Sequence, residues 1–131
     1  MTTTPSSDSS SGLHLARIGQ IAVTVEDIDR ATAFYRDTLG VPHLFSAPGM
    51  AFFDCSGVRL MLSLPEGSDP GAASILYFRS DDVQRDAAIL KDRGVRLEGE
   101  PHAVHKTDTS ELWMAFFRDS EGNPMALMQE R

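Results

Sequence analysis

Two stretches of this chain follow one plan. Residues 18–41, IGQIAVTVEDIDRATAFYRDTLGV, alternate apolar and polar and then switch to helical spacing, and residues 73–95, ASILYFRSDDVQRDAAILKDRGV, do the same. At a spacing of 55 residues Asp27 falls on Asp82, Arg30 on Arg85, Ala33 on Ala88 and Asp37 on Asp92. One deletion later, Gly40-Val41 falls on Gly94-Val95. Each copy places an aspartate where a helix N-cap is wanted and a glycine where the helix should end. Ile28, Ala31, Phe34, Tyr35 and Leu39 give the first helix one apolar stripe, and Val83, Ala87, Ile89 and Leu90 give the second its own.

The later part of each copy matches too. FFDCSGVRLMLSL (52–64) and FFRDSEGNPMALMQ (116–129) both read as strand, glycine-containing hairpin turn, strand. Aligning Gly57 with Gly122 lays Leu60-Met61-Leu62 over Met125-Ala126-Leu127. A further strand is expected near 43–47, and the second copy makes a longer excursion through EGEPHAVHKTDTSE (98–111) before the strand LWMAFFR. The expected fold class is α+β, with paired βαβββ modules at about 16–64 and 73–129 in one domain spanning 14–131. They are joined by a turn-rich linker over 65–72.

Composition removes several classes of function. The segment MTTTPSSDSSSG has neither a basic region nor an apolar core, so it does not read as a secretory signal; residues 1–13 are expected to form a Ser/Thr-rich disordered tail. No apolar run is long enough to span a membrane. One cysteine, Cys55, excludes an intrachain disulfide and fits a reducing, cytoplasmic setting. A formal net charge of −7 opposes binding to nucleic acid or to an anionic membrane.

With these motifs in place, IAVTVEDIDRATAFYRDTLGV, LYFRSDDVQRDAAILKDRGV and AFFRDSEGNPMALM resemble the vicinal oxygen chelate superfamily, over roughly residues 16–129. That superfamily includes glyoxalase I, extradiol dioxygenases and bleomycin-resistance proteins. The resemblance implies sheets curled around a central cavity with helices outside, and a homodimer. It also implies a divalent metal held by inward side chains from the first and fourth strand of each module. Carried onto this chain, those positions are Gln20, Met61, Ile75 and Ala126. The repeat pairs Gln20 with Ile75 and Met61 with Ala126, while a one-residue slip would substitute Leu60 for Met61. An isoleucine and an alanine offer no donor, and a thioether is a poor ligand for hard or borderline cations. No metal and no other cofactor is therefore expected.

With Gln20 facing inward, strand alternation assigns the rest of the cavity. Thr24, Arg59, Met61, Ile75, Tyr77, Arg79 and Ala126 share its lining; the third strand adds either Phe53 with Ala51 and Cys55 or the alternate face, and parity favours the former, with Trp113, Ala115 and Phe117 as its partners in the second copy. Apolar walls with a few placed polar groups suit a small, partly aromatic molecule. Arg59 and Arg79 either receive an anionic group of that molecule or form surface ion pairs. Tyr77, His102 and His105 are the candidates for proton transfer, and the two histidines, if a loop or turn converges them with Asp108 or Glu111, are the one feature able to restore a metal site. On a regular strand His102 and His105 would point to opposite faces. Three functions remain: a metal-independent binding protein resembling those that confer bleomycin resistance, which leads; an enzyme (a lyase, isomerase or cyclase) acting without metal or with unusual ligands; or a catalytically silent partner subunit.

Overall fold

The computed structural model describes residues 13–14, 16–65 and 74–131. The expected tail, apart from Leu13, and the expected linker, apart from Pro65, lie outside the described residues. Strand β1 (Gln20–Thr24) leads into α1 (Ile28–Ala33), which continues as a π-helical turn over Phe34–Thr38. β2 (His43–Ala47), β3 (Met50–Cys55) and β4 (Val58–Ser63) complete the first module. The second repeats it with β5 (Leu76–Arg79), α2 (Val83–Asp92), β6 (His102–Lys106), β7 (Glu111–Arg118) and β8 (Pro124–Glu130). The sheet orders are β1-β4-β3-β2 and β5-β8-β7-β6, with one parallel pair in each. The fold is α+β, built from two βαβββ modules.

The caps fall where the repeat puts them. Asp27 accepts from the amide of Arg30, and Asp82 from that of Arg85, each at 3.0 Å. Gly40 and Gly94 end the helices at positive φ, where a Cβ would be strained. Replacing Asp82 by alanine is expected to cost about 1 kcal/mol in a urea melt, and Asp27 about the same. The single-residue mismatch between the copies also has a physical outcome. The additional residue of the first copy is absorbed as the π turn, in which the amide of Leu39 reaches back five residues to Phe34 at 2.9 Å.

One core serves both modules. Phe53, Leu60 and Leu62 from the first sheet and Phe117, Met125 and Leu127 from the second are buried in it with Ala31, Val83 and Leu90 of the helices. Tyr35 ties the halves together: its ring lies 5.9 Å from that of Phe53, and its hydroxyl donates to Asp119 at 2.7 Å. Each sheet therefore has a helix-side face in the core and an opposite face that is open in the single chain.

Register corrects the expected faces of β3 and β7. Residues paired directly across an antiparallel ladder share a face. Phe53 pairs with Leu60, and Ala51 with Leu62, so both belong to the helix side, and Cys55 follows them. In the second module Phe117 pairs with Met125, Ala115 with Leu127 and Trp113 with Gln129. Phe53 and Trp113 therefore leave the cavity set. Trp113 instead packs beneath the Arg131 guanidinium, 4.1 Å from its ring, and its indole N–H donates to Glu111 at 2.7 Å.

Candidate functional site on the open sheet faces

The ladders fix which side chains share the open faces. Ala22 pairs with Met61 in the first module and Tyr77 with Ala126 in the second, so both repeat spacings hold to the residue. Met61 lies on the open face, whereas Leu60 is in the core. Opposite Met61 stands Phe52, and opposite Ala126 stands Phe116. These phenylalanines, with Phe45 beside Phe52, are the aromatic residues that parity on the third strands missed. The signal that would have found them was the pairing across each hairpin to Leu60 and Met125.

On the first face Gln20 and Arg59 form a unit. The Arg59 Nε donates to the Gln20 Oε1 at 2.9 Å, and its guanidinium lies 5.6 Å from the centre of the Phe52 ring. The remaining amide of Gln20 points at the Met61 sulfur, 3.9 Å away. Phe45 stacks on Phe52 with centroids 4.5 Å apart, and half of Phe45 is exposed. Nε is thus engaged, and the two terminal nitrogens of Arg59 form an edge suited to bidentate contact with a carboxylate or a paired acceptor. Thr24 closes the strand, and its carbonyl accepts from Asn123 at 3.1 Å.

The second face is aromatic. Tyr77 meets Phe116 edge-on at 6.4 Å, and His102 lies at the same distance from that ring. Tyr77 is 46% exposed, whereas Ala126 beneath this layer is fully buried. A bulge in β6 reverses the expected splay of the histidines. His102 pairs with Met114 and His105 with Leu112, and the ladder slips between Ala103 and His105. The additional residue rotates the strand, so both imidazoles share the face of Met114 and Phe116. His102 Nδ1 lies 3.0 Å from the carbonyl of Glu100, which can only accept. That bond requires the Nδ1 proton and turns Nε2 away from the carbonyl. Glu111 is occupied by Trp113 and lies on the helix side, and Asp108 belongs to the 107–110 turn, so neither joins the histidines.

Ile75 lies just before β5 and is exposed. Arg79, at the end of β5, is exposed and faces Glu130 at 3.6 Å. Cys55 is half-buried, and burial followed by the Asp54 charge pushes its thiol above the ordinary value, opposite to what a nucleophilic thiolate requires.

The four positions where the fold would hold a metal do not fit one. Gln20 is the only one with a suitable donor atom, and its oxygen already accepts from a cation, Arg59. Among the described residues no group of three or more His, Cys, Asp or Glu is placed to hold an ion. Nor, among them, is any helix long and apolar enough to cross a membrane.

Comparison with known proteins agrees with the fold. The family model described as Glyoxalase/Bleomycin resistance protein/Dioxygenase superfamily matches residues 17–127. An uncharacterized protein of Bacillus subtilis, YraH, is 29% identical over 119 residues, covering 79% of this chain and 91% of its own. Among solved structures, the antibiotic binding protein TnmS3 from Streptomyces sp. CB03234 superposes with a TM-score of 0.72 at 27% identity, covering 91% of this chain and 99% of its own. Lactoylglutathione lyase from Agrobacterium tumefaciens superposes at 0.70 with 25% identity, covering 87% and 93%.

Proposed function

This chain belongs to the Glyoxalase/Bleomycin resistance protein/Dioxygenase superfamily, and from that premise we propose that it is a small-molecule binding protein that works without a metal ion. The observation that carries the reading is the Gln20–Arg59–Phe52 unit: where the fold would place metal donors, this chain places a pre-oriented guanidinium on an aromatic shelf. Such a surface takes a flat, partly aromatic molecule with a carboxylate or paired acceptors at its edge. Tyr77 and Phe116 supply a second shelf of the same character. The similarity to an antibiotic binding protein is in keeping with a ligand of that size.

A homodimer completes the site. Leu44, Phe45, Ile75 and Tyr77 expose large apolar surfaces outside the shared core, and a second copy laid over the open faces would turn shallow shelves into an enclosed cavity. A free thiol suits the reducing interior of the cell, where the protein is placed on this reading.

A thermal-shift panel of aromatic acids and polycyclic antibiotics, each with and without EDTA, tests the proposal. A ligand that stabilises the protein equally in both arms is expected, and Arg59→Ala should weaken its binding by about 2 kcal/mol, roughly thirtyfold. Light scattering should give twice the chain mass. Stabilisation by Ni²⁺ or Mn²⁺ that EDTA reverses would overturn the metal-free reading.

A second reading has one observation in its favour. The Nε2 of His102, on the aromatic layer that also holds Tyr77, has no hydrogen-bond partner among the described residues. Under that reading the chain is a metal-free lyase, isomerase or cyclase, and turnover insensitive to chelation should vanish in His102→Gln.

A further inference from the structure

The internal repeat implies that whatever holds one seam between the modules should recur at the other, and it does not. At the first seam the turn between β7 and β8 reaches across to the start of α1. Glu121 receives Arg30 through Nε at 2.7 Å and Nη2 at 2.9 Å, and also accepts the amides of Glu26 and Asp27 at 3.0 and 2.9 Å. Asn123 donates to the Thr24 carbonyl, and Tyr35 to Asp119.

The ladders give the corresponding residues at the second seam. Phe53 pairs with Leu60 as Phe117 pairs with Met125, so Cys55 stands where Asp119 stands. Leu90 replaces Tyr35, and Arg85 replaces Arg30. The Ser56-Gly57 turn is shorter than its counterpart and has no residue equivalent to Glu121. Arg85 accordingly folds back on Asp86 at 3.2 Å. The amide of Asp82, the counterpart of Asp27, is taken within its own module by Ser80, and the next amide, Val83, by Gln129. Arg93 crosses at the far end, donating to the Thr38 carbonyl at 2.8 Å.

Along this second seam, where Leu90 stands in place of the larger Tyr35, lies a cavity of about 350 Å³, walled by Leu39, Phe78, Ile89 and Leu90 and bordered by Arg79 and Arg93. A neighbouring trough shares Val41, Phe78 and Arg79 with it and reaches Cys55 and Tyr77. The carboxylates beside it are already engaged: Asp86 by the Ser80 hydroxyl at 2.6 Å and by Arg85, Asp54 by the amide of Gly57 at 3.0 Å. The arginines are only partly engaged. Arg79 faces Glu130 at 3.6 Å with both side chains mostly exposed, a pairing worth little, and Arg93 uses one N–H and keeps the rest of its fork.

We propose that this unsealed seam binds a small anionic amphiphile, a medium-chain or arylalkyl carboxylate. Its tail lies against Leu39, Phe78 and Ile89, and its head is held by Arg79 and Arg93. The volume is at the small end for ligand pockets, which favours a single short chain over a polycyclic compound. The site lies at the joint between modules; its outer end, at Arg79 and Tyr77, borders the open face of the second sheet, while its apolar wall of Leu39, Phe78, Ile89 and Leu90 does not.

Cys55 is the only cysteine in the chain and borders the trough, so its alkylation reports occupancy. Sodium octanoate is expected to slow modification of the native protein by a thiol reagent at least fivefold, whereas 1-octanol at equal concentration should not. Arg79→Gln should raise the half-maximal octanoate concentration about tenfold, as expected for a lost charge-assisted bond. Ile89→Trp, which fills the cavity from the helix side, should abolish protection. Arg79 and Ile89 are surface positions, so both variants should remain folded. Phe52→Ala and Phe116→Ala should leave protection intact. An unchanged rate with octanoate, equal protection by octanol, an unshifted midpoint in Arg79→Gln, or loss of protection in Phe116→Ala would each overturn the proposal.

Discussion

Tyr35→Ala is expected to cost about 4 kcal/mol, a large share of the stability of a domain this size. The side chain is fully buried and packs against Phe34 and Phe53, with its hydroxyl on Asp119 and 3.6 Å from the Met125 sulfur. Truncation opens a hole where both sheets meet the first helix, and it removes a donor from a carboxylate that is itself buried. Burial, and then the neighbouring Asp119 charge, raise the phenol above its ordinary value, so it stays a neutral donor at every pH the fold survives. Tyr35→Phe keeps the ring and loses one bond. Asp119 retains the amides of Glu121 and Asn123 at 2.8 Å and the Asn123 side chain at 3.0 Å, so about 1 kcal/mol is expected. Urea melts of the two variants separate the packing contribution from the hydrogen bond.

Glu121→Gln is expected to cost about 2 kcal/mol at neutral pH and to flatten the acid limb of the stability curve. The Glu121 side chain is 2% exposed, and its carboxyl is held at about 2. The Arg30 hydrogen bond is the largest cause; the amide of Asp27, the Ser120 hydroxyl and the amide of Glu26 act in the same direction, and burial opposes them. A carboxylate that titrates lower when folded than when unfolded stabilises the fold fully above its ordinary value of 4.5, and that contribution disappears as pH falls toward 2. Arg30 is half-exposed, which reduces the pair's contribution to the figure given. Urea midpoints measured from pH 7 to pH 2.5 should therefore fall faster for the native protein than for Glu121→Gln, and the two curves should converge at the acid end.

Local chemistry made much of this architecture legible. Asp27 and Asp82 cap as their spacing requires, and Gly40 and Gly94 terminate as theirs does. Met61 sits opposite Ala22 as Ala126 sits opposite Tyr77, so the register inferred from the repeat is the register of the ladders. What escaped depends on counts at turns. The faces of β3 and β7 are set by how many residues each hairpin spends, two in Ser56-Gly57 and five in 119–123, and parity counted straight through a turn chose the wrong side for Phe53 and Trp113. The bulge that brings His102 and His105 to one face is likewise a single additional residue. The Glu121 clamp had a visible trace: both copies keep the arginine, Arg30 and Arg85, but only one has an acidic residue inserted before its turn glycine. The Gln20–Arg59 pairing was not legible, because it depends on side-chain reach across neighbouring strands.

The slipped ladders at His43/Phe45 and Ala103/His105 fall on the outermost strands, β2 and β6, at matching places in the two modules. An open sheet ends in a row of unsatisfied peptide groups that invites another chain to extend it, and an irregular border cannot template a long, flat addition. The kink that turns His102 and His105 to one side therefore also guards the β6 rim against runaway polymerisation, as its counterpart does at β2, and straightening it by deleting Val104 should yield a protein that precipitates.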